Sequence, residues 1–463
     1  MTLEDVIAQK TLALQAKPLS GETLHLLKRH LLDSYAGICA SLQDAPMIGN
    51  FRRYAAFFPD EAGVTVWGTG RKAQLVHAVF MNAILGRRSD LVNTYLSPDH
   101  MGGNHPSDNV SLLLTLSQWR GLGGGDFLRA MHLAYVLSCA FSDYYDPEGG
   151  GFDHDAASGL YTALITGSVL GLSQKELAEA QRMAGAMGLN PNQAGVGVIT
   201  DWKHCTYASC AMRGVSAAVM ARAGFHGPVD IYGGEAGVDR FLPHAASFMD
   251  QPPDLARIVF KRWQALVFCQ TAIDAALMLH PAFAGLDLSR VTKVEVSNYH
   301  MAMVQAGTPD SARPVSRAGR THSLPYCVAA ALIWGTIDYG SFSDETAGSK
   351  DLQALMSKIV LFDDPAMTAV YPEKSPCRIV VGVEGRAPLE AGLDYPKGDP
   401  RAPLEDGEIE AKAQAYLANL TDQETAGDVI RRIWALENER GLDWLLAPLQ
   451  REARHAAKAP QDG

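Results

Sequence analysis

Apolar positions recur with a helical period over most of the first half of the chain. Leu24, Leu27, Leu31, Tyr35 and Ile38 fall on one face at spacings of three and four behind Ser20 as N-cap, which predicts a helix. Ser173 and Glu176 form an S-x-x-E capping box that predicts a second helix, running to about Ala184. The Ala-rich stretch from Ala208 to Arg222, closed by Gly224 as a C′ residue, predicts a third. Helices this rich in Ala pack closely, as in a helix bundle.

The period changes after about residue 259. Val294 and Val296 alternate within VTKVEVSNYH (291–300), KIVLF (358–362) has the form of a short buried strand, and CRIVVGVEGRAPLEAG (377–392) reads as a hairpin turning at Glu384-Gly385. Between them, His322 to Ile337 is apolar and Ala-rich, hence helical. Pro396, Pro400 and Pro403 punctuate a connection. Helical periodicity then returns from Asp406 to Leu449, with Thr421 and Glu424 as another capping box. The predicted fold class is mainly α with an α+β domain. Residues 1–258 and 401–463 form the helical domain from both chain ends, and residues 259–400 form a smaller α+β insertion or lid. Length agrees, because 463 residues exceed the size, about 250–300, at which single cores stop growing.

Composition narrows the function. The chain has 40 Lys plus Arg against 51 Asp plus Glu, a net charge of −11, and no basic run longer than two residues, which argues against a nucleic-acid partner. The longest uncharged stretch, Ala156 to Gln174, is too rich in Gly, Ser and Thr for a bilayer core, so no membrane association is expected. The N-terminus has no apolar h-region, and the expected compartment is the cytoplasm. Seven scattered cysteines without a C-x-x-C pair read as small buried residues in a reducing environment.

Motifs for common cofactors and metals are missing. There is no P-loop, no G-x-S-x-G elbow and no H-E-x-x-H helix, and Gly195-Val196-Gly197 lacks the third glycine of a dinucleotide fingerprint. No cofactor and no metal are expected. What remains is acid–base chemistry by side chains.

Five polar clusters offer it. Gly86 to Val110 holds Asp90, Asn93, Thr94, Asp99, Asn104 and His105 among several Gly and Pro. Asp90 and Thr94, four apart, would share one face of a helix end, and the Gly102-Gly103 turn would swing His105 back over it. A surface loop of Asx turns and caps is an equal reading. In GGGFDHD (149–155), His154 precedes an apolar helix whose N-terminus disfavours an imidazolium; capping by Asp153 or Asp155 is the alternative. Lys203 heads a neutral Ala/Ser-rich helix, where it is either a desolvated ammonium for an anion or a snorkelling surface lysine. Lys261 and Gln270 fall where the helical and α+β patterns meet, a preferred place for a ligand cleft. His322, Ser323 and Tyr326 open the last apolar helix and serve either a site or its cap.

Taken in order, LLDSYAGICASL (31–42), GNHPSDN (103–109), GFDH (151–154), WK (202–203), AGFHGP (223–228), QTAIDAAL (270–277), HSLPYCVAAAL (322–332) and YPKGDPRAPL (395–404) resemble the MmgE/PrpD family across nearly the whole chain. The resemblance implies a helical domain made from both chain ends, a smaller α+β lid, a homodimer formed through the helical domain, and small di- or tricarboxylate substrates handled without metal or cofactor. It carries over onto Asp90, Thr94, His105, His154, Lys203, Lys261 and Tyr326; catalytic roles are expected of Asp90, His105, His154, Lys203 and Tyr326, and substrate contacts of Asn93, Thr94, Asn104, Lys261, Gln270 and His322. Two departures stand out. The segment usually close to RYLDFND is Arg87 to Asn93 here, with Leu91 for an aromatic and Asn93 for an acid; in K-x-x-P-x-x-x-H-S-Q, Gln264 replaces the proline and Phe268 the histidine.

The leading expectation is a cofactor-independent lyase that adds or removes water by general acid–base catalysis, of the 2-methylcitrate dehydratase kind. Asp90 or His105 would take the carbon-bound proton, and Lys203 with Tyr326 would assist the departing hydroxyl. An epimerase or isomerase, which Phe268 fits somewhat better, and a decarboxylase are the alternatives. A carboxylate-binding protein without catalysis is the reading from a different class.

Overall fold

The computed structural model describes residues 1–98, 100 and 102–451, so Asp99 lies outside the described residues. The chain divides into two compact units. One comprises Met1–Ala194, His204–Ile258 and the residues from Glu405 onward; the other comprises Gly195–Lys203 and Val259–Leu404. Among the described residues no helix is long and apolar enough to cross a membrane. All seven cysteines are buried and none is in a disulfide.

The first unit opens with α1 (Leu3–Ala16), α2 (Gly21–Ser41), α3 (Ala45–Ala55), α4 (Leu75–Arg88), α5 (Asp108–Arg120), α6 (Gly124–Tyr144), α7 (Ser158–Leu170), α8 (Gln174–Ala186) and α9 (Thr206–Arg222). Local signals explain several ends. Ser20 Oγ accepts from the Thr23 amide at 3.1 Å, and Ser173 with Glu176 closes its capping box. The Ala-rich helices do pack closely: a Cβ on Gly214 of α9 would stand 2.1 Å from Thr162 Oγ1 of α7.

This unit is not all helical, as the periodicity suggested. A hairpin joins β1 (Pro59–Val66) to β2 (Arg71–Ala73), and β3 (Tyr95–Leu96) pairs with β4 (Gly103–Asn104). The β-branched run Val64-Thr65-Val66 before a Gly-rich turn favours the extended form. Two-residue strands like β3 and β4 are too short to show any alternation.

In the second unit, α10 (Gln270–Phe283) packs across two strands of a four-stranded mixed sheet made of β5 (Val291–Asn298), β6 (Ile359–Asp363), β7 (Cys377–Val383) and β8 (Leu389–Leu393), with α11 (Leu324–Trp334) against α10. Strand order is β6-β5-β7-β8; β6 runs parallel to β5, and the other neighbours are antiparallel. Val294, Val296, Ile379 and Val381 are fully buried and form its apolar face. KIVLF is not a buried strand. It becomes the sheet edge, where Val360 and Phe362 stay 38% and 40% exposed, and Lys293 Nζ lies 5.1 Å over the Phe362 ring.

The last helices, α12 (Asp406–Leu417), α13 (Gln423–Trp434) and α14 (Asp443–Gln450), belong to the first unit. Helix α12 lies against α2 and is tied to it by the Lys412–Asp33 ion pair, while Tyr35 Oη donates to the Leu445 carbonyl at 2.6 Å. The cap of α13 is Asp422 rather than Thr421. Its carboxylate accepts from both the amide and the hydroxyl of Thr425, at 2.8 and 3.1 Å, so the helix starts one residue later than the capping box implied.

Candidate active site

In the first unit the β3–β4 pair places the chemistry. It sets Tyr95 opposite Asn104 and Leu96 opposite Gly103, where a Cβ would stand 2.2 Å from the Tyr95 carbonyl, so only glycine fits. The chain thus returns on itself, and His105 meets Thr94. His105 Nδ1 is 3.1 Å from both Thr94 Oγ1 and the Asn93 carbonyl. A carbonyl only accepts, so Nδ1 carries the proton and Nε2 keeps its lone pair. Among the described residues nothing bonds that nitrogen. A buried, oriented imidazole with one open nitrogen is the form of a general base.

Asn93 makes this frame rigid. Its amide nitrogen donates to Tyr135 Oη and His30 Nδ1, both at 3.2 Å, and its Oδ1 accepts from the Ser107 amide at 3.2 Å. The side chain expected to touch substrate is therefore committed inside the protein. Asn104 differs, since its nitrogen donates to the Ser138 carbonyl at 2.6 Å while Oδ1 is buried without a partner. That oxygen is an acceptor held for a donor.

Asp90 and Thr94 do not share a helix face. Helix α4 ends at Arg88, and Asp90 turns the chain with a φ of 56°, a left-handed conformation that a short polar residue tolerates. Asp90 is nonetheless buried within the same cluster.

His154 lies in the loop before α7, which begins four residues later, so the helix end is not its nearest charge. Asp153 Oδ1 is 3.3 Å from its Nδ1, Asp155 Oδ2 is 3.3 Å from its Nε2, and Arg87 Nη2 is 3.3 Å from the same Nε2. The rings of His105 and His154 meet edge to face, 5.4 Å between centroids. Asp155 is steadied by Ser158 Oγ at 3.2 Å and Thr206 Oγ1 at 2.9 Å. Arg87 also reaches Asp108 Oδ2 at 3.3 Å. Burial opposes the Arg87 charge, but Asp108, Asp155, Asp90 and Asp153 outweigh it and hold the guanidinium above its ordinary pKa. Asp153, His154 and Asp155 present ligand atoms within 4.8 Å of one another, a grouping that would suit a cation. Arg87 already brings positive charge to the same imidazole nitrogen, so the grouping does not read as a metal site.

The second unit holds the other candidates. Lys203 is in a single 3-10 turn, Asp201–His204, ahead of α9 rather than at its head, and at 7% exposure it is no snorkelling surface residue. Lys261 is fully buried. Gln270, the first residue of α10, spends its amide on its own loop: it donates to the Trp263 and Ala265 carbonyls at 3.0 Å and accepts from the Trp263 amide at 3.1 Å. Tyr326 donates its hydroxyl proton to the Ser341 carbonyl at 2.7 Å, and burial pushes its pKa up. His322 lines a cavity of about 230 Å³ together with Val196, Val198, Gln305, Arg313 and Val315.

Arg87, 2% exposed and in contact with both His154 and Asp108, is the cluster residue to which the sequence analysis gave no role. The signal is the Arg87-Arg88 doublet closing an otherwise apolar helix, since a buried cation there requires anionic partners. Arg88 is spent elsewhere, on Asp44 at 2.7 Å and His204 at 3.1 Å.

Comparison with known proteins agrees over most of the chain. The profile of the MmgE/PrpD N-terminal domain matches residues 5–250, and that of the MmgE/PrpD C-terminal domain matches residues 263–436. A 2-methylcitrate dehydratase of Escherichia coli (strain K12) is 27% identical over 367 residues, covering 73% of this chain and 74% of its own. One from Cupriavidus necator is 24% identical over the same span. A cis-aconitate decarboxylase of Homo sapiens is 23% identical over 454 residues, 91% of this chain and 89% of its own.

Proposed function

Because the chain belongs to the MmgE/PrpD family, we propose that it is a lyase for a small di- or tricarboxylate, eliminating or adding water by side-chain acid–base catalysis without a cofactor. The observation that carries this reading is His105, whose tautomer is fixed by the Asn93 carbonyl and whose Nε2 stays open. His105 Nε2 takes the carbon-bound proton, the electron pair forms the double bond, and the β-hydroxyl leaves with a proton as water. Two donors were expected for that last proton. Of the two, the Tyr326 hydroxyl is already engaged with Ser341 and resists ionisation, so its proton is the harder to give. Asn104 Oδ1, buried without a partner, accepts from a substrate hydroxyl.

The test is to follow formation of the unsaturated product from 2-methylcitrate and related hydroxy acids, with His105→Gln as control. No product across the panel would sink the hydration reading. Decarboxylation is the second reading, favoured by the match to the human decarboxylase over 91% of this chain. Release of CO₂ from an unsaturated tricarboxylate would select it. The relatives named above are dehydratases and a decarboxylase, so the isomerase alternative rests on Phe268 alone.

A further inference from the structure

The geometry points to Arg87 as a positioning residue that fixes the neutral tautomer of His154 and, with Asp155, gives Nε2 a partner in either protonation state. The inference adds to the lyase reading without depending on it. A guanidinium has donors and no acceptor, so at 3.3 Å from Arg87 Nη2 the neutral ring accepts at Nε2 and carries its proton on Nδ1, toward Asp153 Oδ1 at 3.3 Å. Asp155 Oδ2 stands at the same 3.3 Å from Nε2. When Nε2 gains a proton it can no longer accept from Arg87, and it donates to Asp155 instead. Partners of opposite kind flank one nitrogen, so a proton arrives or leaves without the ring having to turn.

The surroundings make the arrangement durable. Arg87 is 2% exposed and is held from its far side by Asp108, the first residue of α5. Thr206 and Ser158 hold Asp155. Among the described residues the ionisable groups against the ring include Arg87 from α4, Asp153 and Asp155 from its own loop, and His105 after β4, while Asp90 and Asp108 act on Arg87. One guanidinium among four buried carboxylates leaves an excess of negative charge, which an imidazolium at His154 would offset. Arg87 opposes that imidazolium and Asp155 favours it, so the two residues pull the same nitrogen in opposite directions.

Histidine-selective ¹⁵N labelling of the full chain tests this directly, since long-range proton–nitrogen spectra distinguish the two tautomers. His154→Gln assigns the signal. In the unsubstituted protein His154 should be the Nδ1–H form at neutral pH. Arg87→Lys keeps a charge but loses the fork that joins Asp108 to His154, and should move the ring to the Nε2–H form facing Asp155. Asp155→Asn should keep the Nδ1–H form and lower the ring's protonation midpoint by about one pH unit. An Nε2–H ring in the unsubstituted protein overturns the proposal. So does an Arg87→Lys protein that melts lower but shows an unchanged ring, as a purely structural arginine would give. If Arg87→Lys does not fold, the unsubstituted spectrum and the Asp155→Asn midpoint still decide; an unmoved midpoint counts against it.

Discussion

The two units bury charge in different ways. In the first, Arg87 sits among Asp90, Asp108, Asp153 and Asp155, none more than 1% exposed, beside two imidazoles. In the second, the buried candidates are the ammonium groups of Lys203 and Lys261, while Gln270 and Tyr326 have given their hydrogen bonds to nearby carbonyls. Burial of a polar residue therefore says little about its role. What separates a working group from a frame group is whether its bonding capacity is already used, as Asn93 and Asn104 show within one short loop.

Substitutions in each unit can break or sharpen that contrast. The largest effect is expected from His105→Gln, a fall in kcat of about 10²–10⁴-fold with little change in KM. A variant that kept kcat would remove the first unit's assigned role. Lys261→Met, which fills the same space without charge, should raise KM by about 10–100-fold and change kcat less. A collapse of kcat at constant KM would place Lys261 with the proton-moving groups and break the contrast.

His30 probes the frame behind His105. Burial, aided by the Arg29 charge, lowers its pKa from 6.5 to about 3. Between those values the unfolded chain binds a proton that the folded protein refuses, so stability falls as the pH drops through that window. The slope is about 1 kcal/mol per pH unit. His30→Gln should flatten that part of the melting-temperature profile, and a profile matching the unsubstituted protein would refute it. The smallest effect is reserved for Asp422→Ala in the tail. Losing the α13 cap should cost about 1 kcal/mol in thermal or denaturant unfolding and leave kcat and KM as they were.

Much of the fold could be read from spacing. Leu24 to Ile38 marked α2, Ser173 and Glu176 marked α8, and Val294 with Val296 marked β5, because each signal is local and repeats at the period of its element. The β3–β4 pair could not be read, since its partners are distant relative to its two-residue length. The KIVLF run gave its extended form but not its place, because edge or centre is decided by strands far away in sequence. For the site, residue types and order picked out the histidines and lysines. They could not show that the Gln270 amide and the Tyr326 proton are already engaged, nor that Arg87 meets His154 across 67 residues.

The path of the chain has a consequence for how the protein comes into being. The first unit is interrupted twice, at Gly195–Lys203 and at Val259–Leu404, and finishes only with residues after Leu404. Tyr35 waits for Leu445, 410 positions later, and Asp33 for Lys412, 379 positions later. On the ribosome, most of the chain must emerge before the earliest helices meet their last partners. Such long-range closure slows folding and leaves apolar faces of α2 open meanwhile. A cut between the two matched domains, near residue 258, would strand α12 to α14 from α2 and Lys203 from its own unit. Each half made separately is expected to aggregate.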